Sequence, residues 1–358
     1  MQRRREVLSR FIAGATAAVA GHAGGADPRE EQPRIRIGQI GVGHAHADKL
    51  AAWRQSADYE VVGIVEPDPA LRARAESQEP FAGLPWMTQD ELLAKPGLQA
   101  VLVETEVRRS LDAAEACVAA GKHVHLDKPA GTSLVQLRRV LDTAAEKRLL
   151  VQMGYMYRYN PGIVLLRRFV AEGWLGEIFE AHAAMSKAMS PLSRRQLAAY
   201  PGGTLFEFGG YLIDMIYKLL GPAERVVGFT QHVAAADDGL ADNGLAVLVY
   251  PRALATIRSS GTEVQGERRR QLVVCGTEGT CRVQPLDNPG VTLTLSKPRG
   301  DYQAGTHEIP LPRYVRHHDD AADMARVIRG EKPTDFPYEH DFAVHKALFQ
   351  ACGLPLDV

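Results

Sequence analysis

The chain has 358 residues, with 42 basic and 43 acidic side chains and 45% hydrophobic content. That length supports roughly two domains around a sizeable core, and the balanced charge excludes an electrostatic footprint for nucleic acid or an anionic membrane surface. The four cysteines, Cys117, Cys275, Cys281 and Cys352, form no C-x-x-C pair, which excludes a zinc-knuckle or disulfide framework.

In chain order, the first stretch is MQRRREVLSRFIAGATAAVAGHAGGA. A basic start, a modestly apolar Phe11–Gly21 run and small residues around Ala20–Ala26 give a signal-peptide layout, too short and Gly/Ala-rich for a stable membrane span. Arg4-Arg5 followed by Glu6-Val7-Leu8 resembles a twin-arginine export signal. Residues 1–26 are therefore expected to direct export to the periplasm, with the twin-arginine machinery as partner.

From Pro33 strands and helices alternate. Strands are expected at Ile35–Ile40, Tyr59–Val65, Ala100–Glu104, Val124–Leu126 and Leu149–Met153, and helices at His46–Gln55, Ser110–Ala120 and Leu134–Lys147. Thr88 with Glu91 three residues later is a capping box. This rhythm predicts a doubly wound parallel sheet, a Rossmann domain over residues 33–154. After Gly154, Asn160-Pro161 starts a helix ending at Gly173. Strand-like runs then accumulate at Ile178–Ser186, Arg225–His232, Leu245–Tyr250, Ala253–Ser259, Gln271–Cys275 and Val291–Ser296, with tail helices at Asp319–Arg329 and Glu339–Ala351. Residues 155–358 thus read as a second α/β domain with an open, mainly antiparallel sheet.

The stretch IGQIGVGHAHADKL opens as a dinucleotide loop. Gly41 permits the tight turn, Gly43 lets phosphate approach, and the following helix offers free N–H groups. Glu66, 25 residues after Gly41, stands where an acid binds the adenine ribose diol, which favours NAD over NADP. His46 takes the place of the third glycine. A metal reading would join His44-x-His46 to His123-x-His125, yet no acid or thiol lies beside either pair at ligand spacing. His46 is read as packing between helix and strand and His44 as lying along the phosphates, with no metal. The HHDD run at 317–320 is read as helix capping.

GKHVHLDKPAG ends a buried strand with Asp127-Lys128-Pro129 at the carboxyl edge of the sheet, where ligands of open α/β folds bind. That stretch is similar to the [E/D]-K-P signature of the glucose–fructose oxidoreductase, inositol dehydrogenase and MocA family. MGYMYRYNPG (153–162), EGWLGEI (172–178) and CGTEGT (275–280) resemble further family segments. The resemblance implies that Lys128 assists proton transfer from a sugar hydroxyl. It also implies that Gly41, Val42, Gly43, His44, His46, Glu66, Thr105, Asp127 and Lys128 line the cofactor, and that Arg158 and Asn160 meet substrate. GGTLFEFGGYLID (202–214) is similar to the family's pocket helix, G-G-x-L-x-D-x-G-x-H-x-x-D. Glu207 stands at its aspartate, Tyr211 at its histidine, and Asp214 is retained. Tyr211 is expected to serve as the base if the Lys128 ammonium lowers its pKa, with Glu207 and Asp214 orienting substrate. Glu104 and Glu106 flank Thr105 where the family has small or rigid residues.

The implied function is hydride transfer between tightly held NAD and a carbinol of a sugar, polyol or cyclitol, in a homodimer or tetramer. A glycoside hydrolase using NAD transiently, and a non-catalytic sugar- or nucleotide-binding protein, are the competing readings.

Overall fold

A computed structural model describes residues 32–357, so the export-signal reading of residues 1–26 lies outside the described residues. The first strand, β1 (Ile35–Ile40), alternates little because both its faces are covered. It leads through a turn and a 3₁₀ segment, Ala47–Lys49, into α1 (Leu50–Gln55), so the expected helix at His46 begins as a tighter turn. After β2 (Tyr59–Val65), Asp68 caps α2 (Pro69–Ala75), a helix not among those expected from the sequence. The capping box of Thr88 and Glu91 opens α3 (Gln89–Leu93). Then follow β3 (Ala100–Val103), α4 (Val107–Ala119), β4 (His123–Leu126), α5 (Leu134–Glu146) and β5 (Val151–Met153).

The five strands are parallel in the order β2-β1-β3-β4-β5. Trp86 adds a one-residue parallel bridge to Ile64 outside β2. Counted as a strand, it completes the dinucleotide-binding order 3-2-1-4-5-6, whose crevice opens between β1 and β3.

The second part begins with α6 (Pro161–Ala171), capped by Asn160. Its sheet comprises β6 (Ile178–Ser186), β7 (Arg225–Gln231), β8 (Asn243–Val249), β9 (Leu254–Ser260), β10 (Gln271–Gly276), β11 (Gly279–Val283), β12 (Val291–Leu295) and β13 (Gly305–Ile309). The order is β13-β12-β11-β10-β6-β9-β8-β7, antiparallel throughout except for the β6–β9 pair. Helices α7 (Pro191–Ala198) and α8 (Gly203–Leu220) connect β6 to β7. The chain closes with α9 (His318–Ile328) and α10 (Tyr338–Ala351).

Two apolar clusters cover the faces of the first sheet. One, on the α4/α5 side, is continuous with the core under the second sheet. The other joins Ile35, Ile37, Trp53 and Tyr59 to Ala321, Met324 and Ala325 of α9. Thus α9 returns to the first sheet, where Tyr59 donates to the Ala321 carbonyl at 2.7 Å and Arg329 pairs with Asp58 at 2.6 Å. That return delivers His317 and Asp320 beneath the nucleotide loop. Among the described residues no helix is long and apolar enough to cross a membrane.

Candidate active site

The nucleotide loop keeps the parts that a pyrophosphate needs. Gly41 has φ +91°, and a Cβ there would stand 2.6 Å from the Thr105 backbone. Its neighbours are already committed, with Val42 N–H donating to Glu66 at 2.9 Å and His44 N–H to the Glu104 carbonyl at 3.1 Å. Glu66 also accepts from Asp68 N–H at 3.0 Å, so both its oxygens are aimed before any ligand arrives. Beside it runs a cleft of about 730 Å³ lined by Gly41, Gly43, Glu66, Arg72, Trp86 and Thr105. These residues fit an adenosine and its phosphates: a carboxylate at the ribose, a flat indole wall and an unobstructed glycine backbone. A nicotinamide bound here supplies the hydride acceptor or donor. A second cleft of about 540 Å³ shares Gly43 and Glu106 with the first, and adds His44, Tyr200 and Glu207.

Lys128 stands where the two parts of the molecule meet. Its ammonium donates to Glu207 Oε1 at 2.7 Å and to the Glu207 carbonyl at 3.1 Å. Burial alone would push the Glu207 carboxyl up, but Lys128 and His44 outweigh it and hold it below the usual range. Residues 207, 211 and 214 share one face of α8 by helical spacing, yet their surroundings diverge.

Tyr211 corrects the expected base. Its hydroxyl is buried without a hydrogen-bond partner, and burial, followed by Asp127, Glu207 and Tyr157, pushes its pKa well up. Lys128 does not reach the phenol oxygen; it lies over the ring, 5.0 Å from the centroid. The phenol stays protonated.

Asp214, Arg158 and Asn160 are likewise occupied elsewhere. Arg158 is buried and donates to Asp214 at 2.6 Å and to Asp341, with its guanidinium 3.9 Å from the Phe336 ring centroid. Asn160 accepts from Gly162 and Ile163 N–H and donates to the Leu286 carbonyl, which makes it a helix cap and a tie to the second sheet. These three hold the interior beside the site rather than facing the cleft.

Under the loop lies a charged cluster that the sequence reading missed. Lys49, wholly buried, places its ammonium 3.0 Å from Asp127 Oδ2, 3.1 Å from Glu104 Oε1 and 3.2 Å from His125 Nε2. His44 Nδ1 approaches the same Asp127 oxygen at 2.7 Å and His46 Nδ1 at 3.2 Å. The signal available was Lys49 itself, a cation among the apolar positions of an amphipathic segment. Burial drives the Glu104 carboxyl well up, with Asp127 adding to it, whereas the surrounding cations and histidines hold Asp127 well down despite its burial. Glu104 therefore carries the proton of the pair and Asp127 the charge.

This geometry revises the ligand argument. Asp127, distant in sequence, brings a carboxylate to His44 and His46, and the ligand atoms lie within 4.8 Å of one another; Asp214, His340 and Asp341 form a second such group. In each case a buried cation, Lys49 or Arg158, already supplies the charge that a metal would bring. His123 does not join: its Nδ1 accepts from Leu150 N–H at 2.9 Å. His317 occupies the N-cap position of α9 without a side-chain cap hydrogen bond, contrary to the capping expected of it, and packs instead toward His46, with ring centroids 6.2 Å apart.

Two family models match the chain: "Oxidoreductase family, NAD-binding Rossmann fold" over residues 35–155 and "GFO/IDH/MocA C-terminal domain" over residues 163–282. The chain is 25% identical over 298 residues to human trans-1,2-dihydrobenzene-1,2-diol dehydrogenase, covering 81% of this chain and 85% of that protein. Its fold is similar to the WlbA dehydrogenase of Bordetella pertussis, solved with NADH and UDP-GlcNAcA, at TM-score 0.75, 20% identity and coverage of 90% and 99%. It is also similar to KijD10, a 3-ketoreductase of Actinomadura kijaniata solved with TDP-benzene and NADP, at TM-score 0.72, 22% identity and coverage of 89% and 96%. With both family domains matched in order over a Rossmann sheet and an open antiparallel one, the chain belongs to the GFO/IDH/MocA oxidoreductases and binds a nicotinamide cofactor.

Proposed function

We propose that this enzyme transfers hydride between NAD and a secondary carbinol of a sugar, polyol or cyclitol. The observation that carries the reading is the Lys128–Glu207 pair, set at the carboxyl edge of the first sheet, with Glu207 lining a polar cleft continuous with the nucleotide groove. A cation and a carboxylate at such a mouth suit a polyhydroxylated ligand, one donating to the reacting oxygen and the other accepting from a neighbouring hydroxyl. Purified enzyme incubated with a carbohydrate and polyol panel is expected to change the nicotinamide absorbance with at least one member. Hydrolysis of aryl glycosides without net absorbance change would instead favour the transient-oxidation reading.

Preference for NAD over NADP rests on Glu66, whose carboxylate would repel a 2′-phosphate. Glu66→Ala is expected to narrow the ratio of NADPH to NADH dissociation constants by about tenfold, as befits loss of a charge-assisted contact. We further propose export by the twin-arginine route with the cofactor tightly held. Replacing Arg4-Arg5 by two lysines is expected to retain the protein in the cytoplasm. Dialysis of purified enzyme is expected to leave bound cofactor in place. Self-association is assigned to the open face of the second sheet, where Phe229 and Leu254 are exposed. Phe229→Asp is expected to reduce the mass measured by light scattering.

A further inference from the structure

We propose that residues 190–203 form a strap over the nucleotide loop, latched by Arg108, and that the cofactor enters and leaves only when the strap lifts. The inference rests on the tightly held cofactor proposed above and gives it a means, a gate in place of an unusually strong contact.

The cleft of about 540 Å³ has a floor and a roof from distant parts of the chain. Its floor is the nucleotide loop at Gly43, His44 and Ala45, where a pyrophosphate is held in this fold. Its roof is the end of α7 and the turn after it, with Gln196, Leu197 and Tyr200. A dinucleotide seated on the loop therefore passes beneath residues 196–200.

Little apolar packing holds that roof. Leu192 is exposed, and Arg194 is the one residue of α7 that is buried. Polar ties hold it instead, at two points. Arg194 is the anchor to the second sheet. It donates to Asp238 at 2.6 and 3.0 Å and to Asp242 at 2.9 Å, both in the link between β7 and β8. Asp242, wholly buried, is itself fixed by the Val233 and Ala234 N–H groups.

Arg108 is the latch to the first sheet. It stands in the first turn of α4, and its guanidinium donates to the Ala199 carbonyl at the C-terminal end of α7. Carbonyls in the last turn of a helix lack an intrahelical partner, and the helix dipole there favours a cation. Among the described residues this is the one hydrogen bond between 190–203 and the chain before residue 155. An element with so little buried apolar surface and a single tie on one side opens at low cost.

The strap also has a place to bend. Gly202 and Gly203 both lie in the left-handed region, with φ +78° and +53°. Just beyond them Thr204 N–H donates to the Ala241 carbonyl at 2.9 Å, which fixes the start of α8. Residues 195–201 can thus swing between the Arg194 anchor and the glycine pair while Glu207 keeps its place on α8.

Stopped-flow NADH fluorescence on wild type, Arg108→Ala and Arg108→Lys tests this, with hydrogen exchange of residues 195–203 measured beside it. Loss of a latch eases entry and exit alike. Arg108→Ala is therefore expected to raise the association and dissociation rates about tenfold each, leaving the dissociation constant within about threefold. Arg108→Lys keeps a donor and is expected to return both rates toward wild type, and only the alanine variant should exchange faster at 195–203. Unchanged rates would overturn the proposal. So would faster dissociation alone with a matching loss of affinity, which marks a direct contact between Arg108 and the cofactor. If wild type gives up its cofactor on dialysis, the tight-binding reading fails on its own, and the ratio of variant to wild-type rates still decides the strap.

Discussion

The ammonium of Lys128 lies over the face of the Tyr211 ring, 5.0 Å from its centroid, rather than beside its hydroxyl. The ring steadies the cation through its π face, and Tyr155 and Tyr157 flank it with centroids 6.0 and 5.5 Å away. Because the hydroxyl has no partner, Tyr211→Phe is expected to leave kcat within about threefold and to leave the unfolding free energy unchanged or raised by ~1 kcal/mol. Steady-state kinetics and urea denaturation on the same preparation check both. A hundredfold fall in kcat would restore the phenol to the chemistry.

Lys49 is the wholly buried cation beside Asp127 and Glu104, 3.0 Å from the first and 3.1 Å from the second. Lys49→Met leaves Asp127 uncompensated in an interior site, so a loss of ~3–5 kcal/mol in unfolding free energy is expected. Pairing it with Asp127→Asn is expected to recover part of that loss, because the charge is then removed with its partner. A double-mutant cycle in urea measures the coupling, and additive losses would show that the two do not interact.

The alternating strands and helices of the first sheet and most strands of the second were legible because they rest on apolar periodicity, which local sequence carries, whereas β11 and β13 were not anticipated. The places of Gly41, Glu66 and Lys128 just past the ends of β1, β2 and β4 were legible for a related reason, since each has a fixed offset from a strand end. Tyr211 was misread because a helix position does not reveal whether a hydroxyl finds a partner; that depends on Tyr155, Tyr157 and Lys128 arriving from other elements. Lys49 was missed, and the meeting of His44 with Asp127 likewise, because 82 intervening residues separate His44 in the loop from the strand-end aspartate that completes its site. The short helices at Pro69–Ala75 and Pro191–Ala198 follow proline-led caps that read equally well as loop.

Asp320 sets a pH dependence of stability. Burial pushes its carboxyl up to about 7 from the ordinary 3.8, even with Lys49 drawing it down. Between those two values the folded state holds a proton that the unfolded chain releases, so this group's contribution makes unfolding free energy fall as pH rises through the window. Above it, folding carries the full cost of a buried carboxylate. Asp320→Asn is therefore expected to raise stability by ~2 kcal/mol at pH ~8 and to change it little at pH ~4. Urea midpoints of both proteins across pH measure this, and parallel curves would exclude Asp320 as the source.

Asp214 separates an interior role from a catalytic one. The family resemblance places it among substrate-orienting residues, but its carboxylate accepts from Arg158 through Nε and Nη2 and from His340 at 2.9 Å. Arg158 is buried, and Asp341, its other partner, is itself pushed up to about 6, chiefly by burial. Asp214, by contrast, is held below the usual carboxylate range despite its burial, chiefly by Arg158, and is the firmer anion beside the guanidinium. Asp214→Asn is thus expected to cost ~3 kcal/mol of unfolding free energy, as for one side of a buried pair. The folded fraction should keep kcat and KM within about threefold of wild type, because no substrate contact is lost. Kinetics below the unfolding transition, read beside the denaturation curve, separate the outcomes: a kcat deficit at unchanged stability would return Asp214 to the reacting centre.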